Sequence, residues 1–302
     1  MKKISLVVLH YINQDLTIKC LESVEKLQTV DFGLQVIIVN NNPKEDLKVL
    51  KRKFRKFEFL ETGKNLGFTG GNNFGIKKAL KKKADFVMLL NNDTLIDQSA
   101  LVQLIKVASL IGQSGVLGPK IYFAPGYEFH QERYEPTEQG KIIWYAGGIV
   151  DWRNILASHR GVDEVDKGQY DKVEGTDFAS GCAMLVKKEV FTKIGLLDER
   201  YFLYLEDLEF CQRAKKAGFK IVYVPQAKVW HFNAGSSEVG GPLHDYFLTR
   251  NRMLFGMRYA PVRSKIALLR ESLRLLRSGR RWQRRGIKDF YLKKFGKGSY
   301  NK

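Results

Sequence analysis

Asp85-Phe86-Val87-Met88-Leu89-Leu90-Asn91-Asn92-Asp93-Thr94 runs five apolar side chains into an abrupt polar end. A run of that length and character is a strand buried on both faces, as in a parallel sheet. The Asn-Asn-Asp-Thr that follows then sits just past the strand's carboxyl end, where open α/β sheets bind ligands. A carboxylate flanked by amides can hold a hard cation there, and the cation can hold a diphosphate. The same four residues also read as a solvated turn in which Asp93 or Thr94 caps the next helix.

Neighbouring segments repeat the pattern. Ile4 to Leu9 and Val36 to Val39 are further buried strands, and Phe57 to Leu60 is a short one. Leu16, Ile18, Leu21, Val24 and Leu27 share one broad helical face, and Lys44 to Phe54, Asn72 to Lys83 and Ser99 to Ile111 are expected helices. Strands alternating with helices predict an α/β fold with a doubly wound, mostly parallel sheet and right-handed crossovers. Leu9, Val39 and Leu90 would end their strands along one edge, each followed by polar residues. Beyond Pro119 the texture changes. Tyr122 to Lys141 is loop-rich, and a small-residue turn, Ala179-Ser180-Gly181-Cys182-Ala183, precedes an apolar strand. Glu189 to Ile194 and Asp207 to Ala217 read as helices, and Ile221 to Val224 as a strand closed by Pro225.

Composition bounds the function. The chain is 302 residues long and 44% hydrophobic, enough for a real core. No uncharged stretch nears the roughly 20 residues that span a bilayer, and the N-terminus carries no secretory pattern. Cys20, Cys182 and Cys211 are scattered, with no CxxC pair, which predicts a reduced, cytoplasmic setting without structural zinc. Residues 250–302 hold 17 Lys and Arg against Glu271 and Asp289, and so carry 15 of the 19 net positive charges. A tail of that kind seeks an anionic surface. Val262 to Leu276 reads as a helix with Ile266, Leu269, Leu273 and Leu276 on one stripe, widened by Leu268 and Leu275, and arginines on the other side. Such a helix lies in a membrane interface, or packs its stripe on the body of the protein.

Three segments could carry chemistry. Asn65-Leu66-Gly67-Phe68-Thr69-Gly70-Gly71-Asn72-Asn73 is glycine-dense and leads into a helix, so its backbone can approach an anionic ligand. It matches neither GxGxxG nor a Walker A, and its glycines could equally turn a corner. Glu206-Asp207 follows an aromatic run at a helix start. Adjacent carboxylates among aromatics suit a general base with a raised pKa, or merely complement the helix dipole. His231 reads as a metal ligand or as a satisfied core histidine.

Together the segments resemble the family 2 glycosyltransferases of GT-A fold, above all the rhamnosyltransferase-like branch. The likeness rests on ordered residues between about 4 and 255. These begin with Tyr11, Val39-Asn40-Asn41, Asn65-x-Gly67-Phe68 with Gly70-Gly71-Asn72-Asn73, and Leu89-Leu90-Asn91-Asn92-Asp93-Thr94. They continue with Gly147-Gly148, Ser180-Gly181, Gly195 with Asp198-Glu199, Glu206-Asp207 with Arg213, Pro225, His231 and Arg250-Asn251-Arg252.

The resemblance implies an inverting transferase. Asp93 would bind a divalent cation, Mg2+ or Mn2+, on the donor diphosphate, and His231 would complete that site. Tyr11, Asn40, Asn65, Gly67, Gly70, Asn72 and Asn92 would join Asp93 in holding the nucleotide-sugar, with dTDP-rhamnose the first candidate. Asp207, beside Glu206, would be the base. Asn40 stands where relatives usually carry Asp, and Asn91 replaces the first Asp of the metal motif. Residues 1–120 would form the nucleotide-sugar half, 121–255 the acceptor half, and 256–302 a basic helical tail. The acceptor would be a saccharide, free or lipid-linked, used in cell-surface polysaccharide synthesis. Residues 262–285 would then rest on the inner face of the cytoplasmic membrane. A sugar-1-phosphate nucleotidyltransferase is the competing enzyme class, but His10-Tyr11-Ile12-Asn13 lacks the glycine such enzymes place after the first strand. Nucleic-acid binding is disfavoured by the near-balanced charge of the body.

Overall fold

The computed structural model describes residues 1–233 and 240–300. The first half alternates strand and helix: β1 (Lys2–His10), α1 (Gln14–Glu25), β2 (Phe32–Asn40), α2 (Lys48–Lys53), β3 (Glu58–Glu61), α3 (Gly67–Lys81) and β4 (Phe86–Asn91). β1 pairs in parallel with both β2 and β4, and β2 with β3. Strand order therefore reverses between β1 and β4, and that switch point opens a crevice at the carboxyl ends.

Two expectations need correcting here. The glycine-dense stretch does not lead up to α3; it forms the helix's first turns, because α3 starts at Gly67. A Cβ on Gly71 or Gly75 would run into Leu9 or Val7, so these glycines let α3 lie closer on β1 than any other residue could. α2 is also shorter than expected, beginning only at Lys48.

The second half adds β5 (Thr94–Ile96), α4 (Ala100–Leu110), β6 (Ser114–Phe123), β7 (Ile143–Tyr145), β8 (Gly148–Asp151), β9 (Leu156–His159), β10 (Glu174–Gly175) and β11 (Ala183–Lys187). α5 (Lys188–Ile194), α6 (Glu206–Lys216) and β12 (Lys220–His231) follow. The main sheet runs β10-β12-β6-β11-β4-β1-β2-β3. β11 lies antiparallel between β4 and β6, so the sheet is mixed but mostly parallel. The reversal matters for the site, because β11 begins beside the end of β4, with Ala183 opposite Leu90.

β12 does not stop at Pro225. It continues to His231, with its register broken between Val224 and Lys228, where the proline has no N–H to give. Pairing of Val229–His231 with β5 carries it on and delivers His231 opposite Thr94.

The C-terminal region folds onto this body as α7 (Pro242–Tyr259), α8 (Val262–Ser278) and α9 (Arg281–Tyr291). α8 docks through Ser264, Leu268 and Ser272, with Leu268 filling the space over Gly256. The stripe expected to matter is split: Leu269 and Leu276 are half-buried, whereas Ile266 and Leu273 are exposed. α9 rests on α7 at Gly286, where a Cβ would crowd the Tyr246 carbonyl. Among the described residues, no helix is long and apolar enough to cross a membrane.

Candidate active site

Register brings the strand ends together: His10 pairs with Asn40, and Leu9 with Asn91. The Asn-Asn-Asp-Thr segment is the turn between β4 and β5, since α4 starts only at Ala100; neither Asp93 nor Thr94 caps it. Asn92 Nδ2 fastens the turn to the end of β1, donating to the Ile12 carbonyl at 3.0 Å and to Thr17 Oγ1 at 2.8 Å. Thr94 Oγ1 closes it onto the Asn91 carbonyl at 2.7 Å.

β5 and β12 then set Asp93 against His231, with Oδ1 and Nε2 3.3 Å apart. Burial alone would push the Asp93 carboxyl up, but the charge and hydrogen bond of His231 outweigh it and hold the pKa below the usual carboxylate range. His231 Nδ1 is buried with no hydrogen-bond partner among the described residues. Trp144 meets the imidazole edge-on, 4.7 Å between ring centres. No cluster of three or more His, Cys, Asp or Glu suited to a metal occurs among the described residues. A cation that keeps waters and shares substrate phosphates needs only one or two carboxylates, so one carboxylate beside one imidazole fits it.

Two asparagines shape the entry to α3. Asn41 Oδ1 accepts from the Leu66 N–H at 2.9 Å, and its Nδ2 donates to the Gly67 carbonyl at 3.1 Å. Asn65 Oδ1 accepts from the Gly67 N–H at 2.8 Å. Gly67 has φ +72°, and a Cβ there would strike the Phe202 ring. Asn72 and Asn73 make protein contacts of their own. Asn72 bonds back to the Phe68 carbonyl, and Asn73 grips Leu197 through both N–H and C=O while donating to Glu199. Asn40 is likewise committed, donating to Glu61 Oε2 at 2.8 Å and the Glu45 carbonyl at 3.1 Å. Tyr11 is exposed at the end of β1.

The acid pair sits on a strained turn. Phe202, Tyr204 and Leu205 all have positive φ, a conformation that costs energy unless the surroundings enforce it. α7 supplies the enforcement. Asn251 Nδ2 donates to the carbonyls of Tyr201, Leu203 and Tyr204, and fully buried Arg250 donates to those of Arg200 and Tyr201. α6 then begins with Glu206 and Asp207. Asp207 accepts the Gly181 N–H at 2.9 Å and the Leu208 N–H at 2.7 Å. Glu206 Oε2 is buried with no hydrogen-bond partner among the described residues. Burial raises both carboxyl pKa values. The backbone bonds restrain Asp207, while the charge of Asp207 pushes Glu206 further up.

These two acidic sites meet at consecutive residues. Gly181 donates to Asp207, and the next carbonyl, that of Cys182, accepts the Asn91 N–H at 2.9 Å, two residues before Asp93. The Cys182 thiol is pushed well up by burial first and then by Asp93, Cys20 and Asp207, so both acids lie within electrostatic reach of it. Phe68 of α3 also packs against Gly181. Asn41, Gly181, Arg250 and Asn251 therefore shape the site, although sequence reasoning gave them no role; the Asn40-Asn41 and Arg250-Asn251 doublets were the available signal.

A crystal structure of GalNAc-T7 with UDP, GalNAc and Mn2+ superposes with a TM-score of 0.61 at 17% identity, covering 89% of this chain and 54% of that one. This identifies the fold as GT-A. The low-salt glycan biosynthesis hexosyltransferase Agl10 of Haloferax volcanii is 26% identical over 64% of this chain and 65% of its own length. N-acetylglucosaminyl-diphospho-decaprenol L-rhamnosyltransferase of Mycobacterium tuberculosis is 27% identical over 62% of each chain. The dTDP-rhamnosyl transferase RfbF of Shigella flexneri is 23% identical over 72% of this chain and 69% of its own. The chain thus spans just under two thirds of the length of the first two relatives. Residues 2–254 match the family described as "Glycosyltransferase like family 2", and the chain belongs to that family.

Proposed function

We propose that this chain is an inverting glycosyltransferase, moving a hexose from a nucleotide-sugar to an acceptor hydroxyl. The observation that carries the reading is the meeting at Gly181 and Cys182 of two acidic sites with opposite protonation behaviour. Asp93 and His231 would hold Mg2+ or Mn2+ against the donor diphosphate. Bound there, the cation supplies Lewis-acid stabilisation of the leaving oxygen.

The chain's own residues do the rest. Tyr11, Asn65, Gly67, Gly70, Asn72 and Asn92 form the donor side within residues 1–120. Asn40 supports it indirectly, by bracing the end of β2 against Glu61. Asp207, within the acceptor half at 121–255, takes the proton of the acceptor hydroxyl. The hydroxyl oxygen bonds to the anomeric carbon from the face opposite the diphosphate, and the bond to the diphosphate breaks. A raised pKa makes Asp207 a better proton acceptor than an ordinary carboxylate. Burial keeps that pKa high, and Glu206, pushed further up by the charge of Asp207, stays protonated beside it. One base suffices, because no covalent intermediate forms.

The names of the relatives support dTDP-rhamnose as the first donor to test and a saccharide, free or lipid-linked, as acceptor. A lipid-linked acceptor agrees with a position on the inner face of the cytoplasmic membrane, reached through residues 262–285. The test is a panel of nucleotide-sugars with Mg2+ or Mn2+, read by thermal shift and nucleoside diphosphate release. dTDP-rhamnose is expected to give the largest shift and slow hydrolysis. A UDP-hexose in its place would overturn the donor assignment alone. Silence from every donor with both metals would overturn the reading.

A further inference from the structure

α8 and α9 form a hairpin against α7, and a cavity of about 570 Å3 opens between them. Arg281, Trp282, Arg284, Arg285, Lys288 and Ser299 line it. Within the described residues Arg281, Arg284 and Lys288 form no ion pair, and Arg285 reaches only Asp289, at 4.0 Å. Neither acid of the hairpin is free to neutralise the cluster. Asp289 is buried on the Tyr246 hydroxyl and the Ser299 N–H, and Glu271 is held by Arg252. Four like charges around one concavity repel each other, and a bound anion relieves that cost.

A second observation says what kind of anion. Leu276 also borders the cavity. It shares a helical face with Val262, Ile266 and Leu273, which are 72%, 46% and 55% exposed. α8 uses a different face, that of Leu268, to dock. An apolar stripe that leads into a cationic cavity matches a bilayer interface, where acyl chains and phosphates lie side by side. A nucleic acid would match the cations but leave the stripe in water.

We infer that the α8–α9 hairpin docks on an anionic phospholipid bilayer, with one headgroup phosphate seated in the basic cavity and the Val262–Ile266–Leu273 stripe at the acyl boundary. This rests on the membrane location proposed above and specifies its contact. The full chain is tested by co-sedimentation with phosphatidylcholine vesicles, with and without phosphatidylglycerol. Binding is expected only with the anionic lipid. Each cation removed costs about fivefold, so Arg284→Gln/Lys288→Gln weakens binding roughly 25-fold, while the charge-keeping Arg284→Lys retains it. Leu273→Ser lowers binding about tenfold. Unchanged donor hydrolysis certifies that these variants fold. Failure of the unaltered chain to bind any vesicle would overturn the membrane location itself. Anionic binding that survives Arg284→Gln/Lys288→Gln would overturn the cavity assignment alone. Tighter binding to a DNA duplex than to vesicles at equal salt would overturn it in favour of nucleic acid.

Discussion

Asp93 and the Glu206–Asp207 pair share one edge of the sheet, yet their surroundings drive them in opposite directions. Asp93 is half-buried and faces an imidazole, and its carboxyl stays ionised more firmly than usual. Glu206 is buried and Asp207 half-buried, and among the described residues neither has an ion-pair partner and Glu206 Oε2 has no hydrogen-bond partner. Like residue types become a fixed negative charge in one place and a proton acceptor in the other. Environment assigns the role, as it does wherever two carboxylates divide acid–base work. The backbone makes the division possible: β5 and β12 bring a histidine to one acid, while a strained turn held by Asn251 brings the other to Gly181.

The sharpest way to break this contrast is to neutralise the proton acceptor. Asp207→Asn is expected to lower kcat by about 10²–10⁴-fold, the range for general-base assistance. Donor affinity, measured by calorimetry, should survive. Equal turnover in this variant would end the assignment. Below the raised pKa of the pair the base is protonated, so the acid limb of the kcat/KM profile should lie above the ordinary carboxylate range near pH 4. A limb at the ordinary position would show that the essential base of the free enzyme is not a carboxyl raised by burial.

The next largest effect is expected at the other acid. Asp93→Asn should cost about 10²-fold in kcat/KM and flatten the response to added Mn2+; His231→Ala should cost nearer 10-fold. The readout is activity titrated with metal after EDTA treatment. A full metal response in Asp93→Asn would move the cation elsewhere.

How far the sequence foretold this depends on how local each cause is. β1, β2 and β4 were legible because strands buried on both faces must be apolar throughout, and the polar residues at their ends marked the crevice. Asp93 stood out at one of those ends, Glu206 and Asp207 at a helix start after an aromatic run, and His231 beyond Pro225. Other features had distant causes. β12 crosses Pro225 because pairing with β5 beyond it outweighs a missing donor. The left-handed Phe202, Tyr204 and Leu205 carry no glycine to announce them; Asn251, some 50 residues later, imposes the turn. Asn40 and Asn41 are chemically identical neighbours, and only the direction of the chain sends one to Glu61 and the other to the glycine helix. The stripe on α8 was visible, but not that it would dock by its Leu268 edge and leave Ile266 and Leu273 exposed.

The smallest effect concerns stability, and it separates the two sites without substrate. A carboxyl whose folded pKa lies above its unfolded value contributes fully only below the unfolded pKa, about 4.3 for Glu. That contribution is lost as pH rises through the folded pKa. Glu206 therefore makes the protein less stable at pH 8 than at pH 5, whereas Asp93, with its lowered pKa, contributes stability that is lost only in acid. Glu206→Gln removes the ionisation while keeping the shape. It should raise the melting temperature at pH 8 by roughly 2–4 °C, the equivalent of about 1 kcal/mol, and leave it nearly unchanged at pH 4. Asp93→Asn should do the reverse of a rescue, lowering the melting temperature at pH 8 because His231 loses its charged partner. If both variants shifted the melt in the same direction at pH 8, the opposed electrostatics of the two acids would not be what distinguishes them.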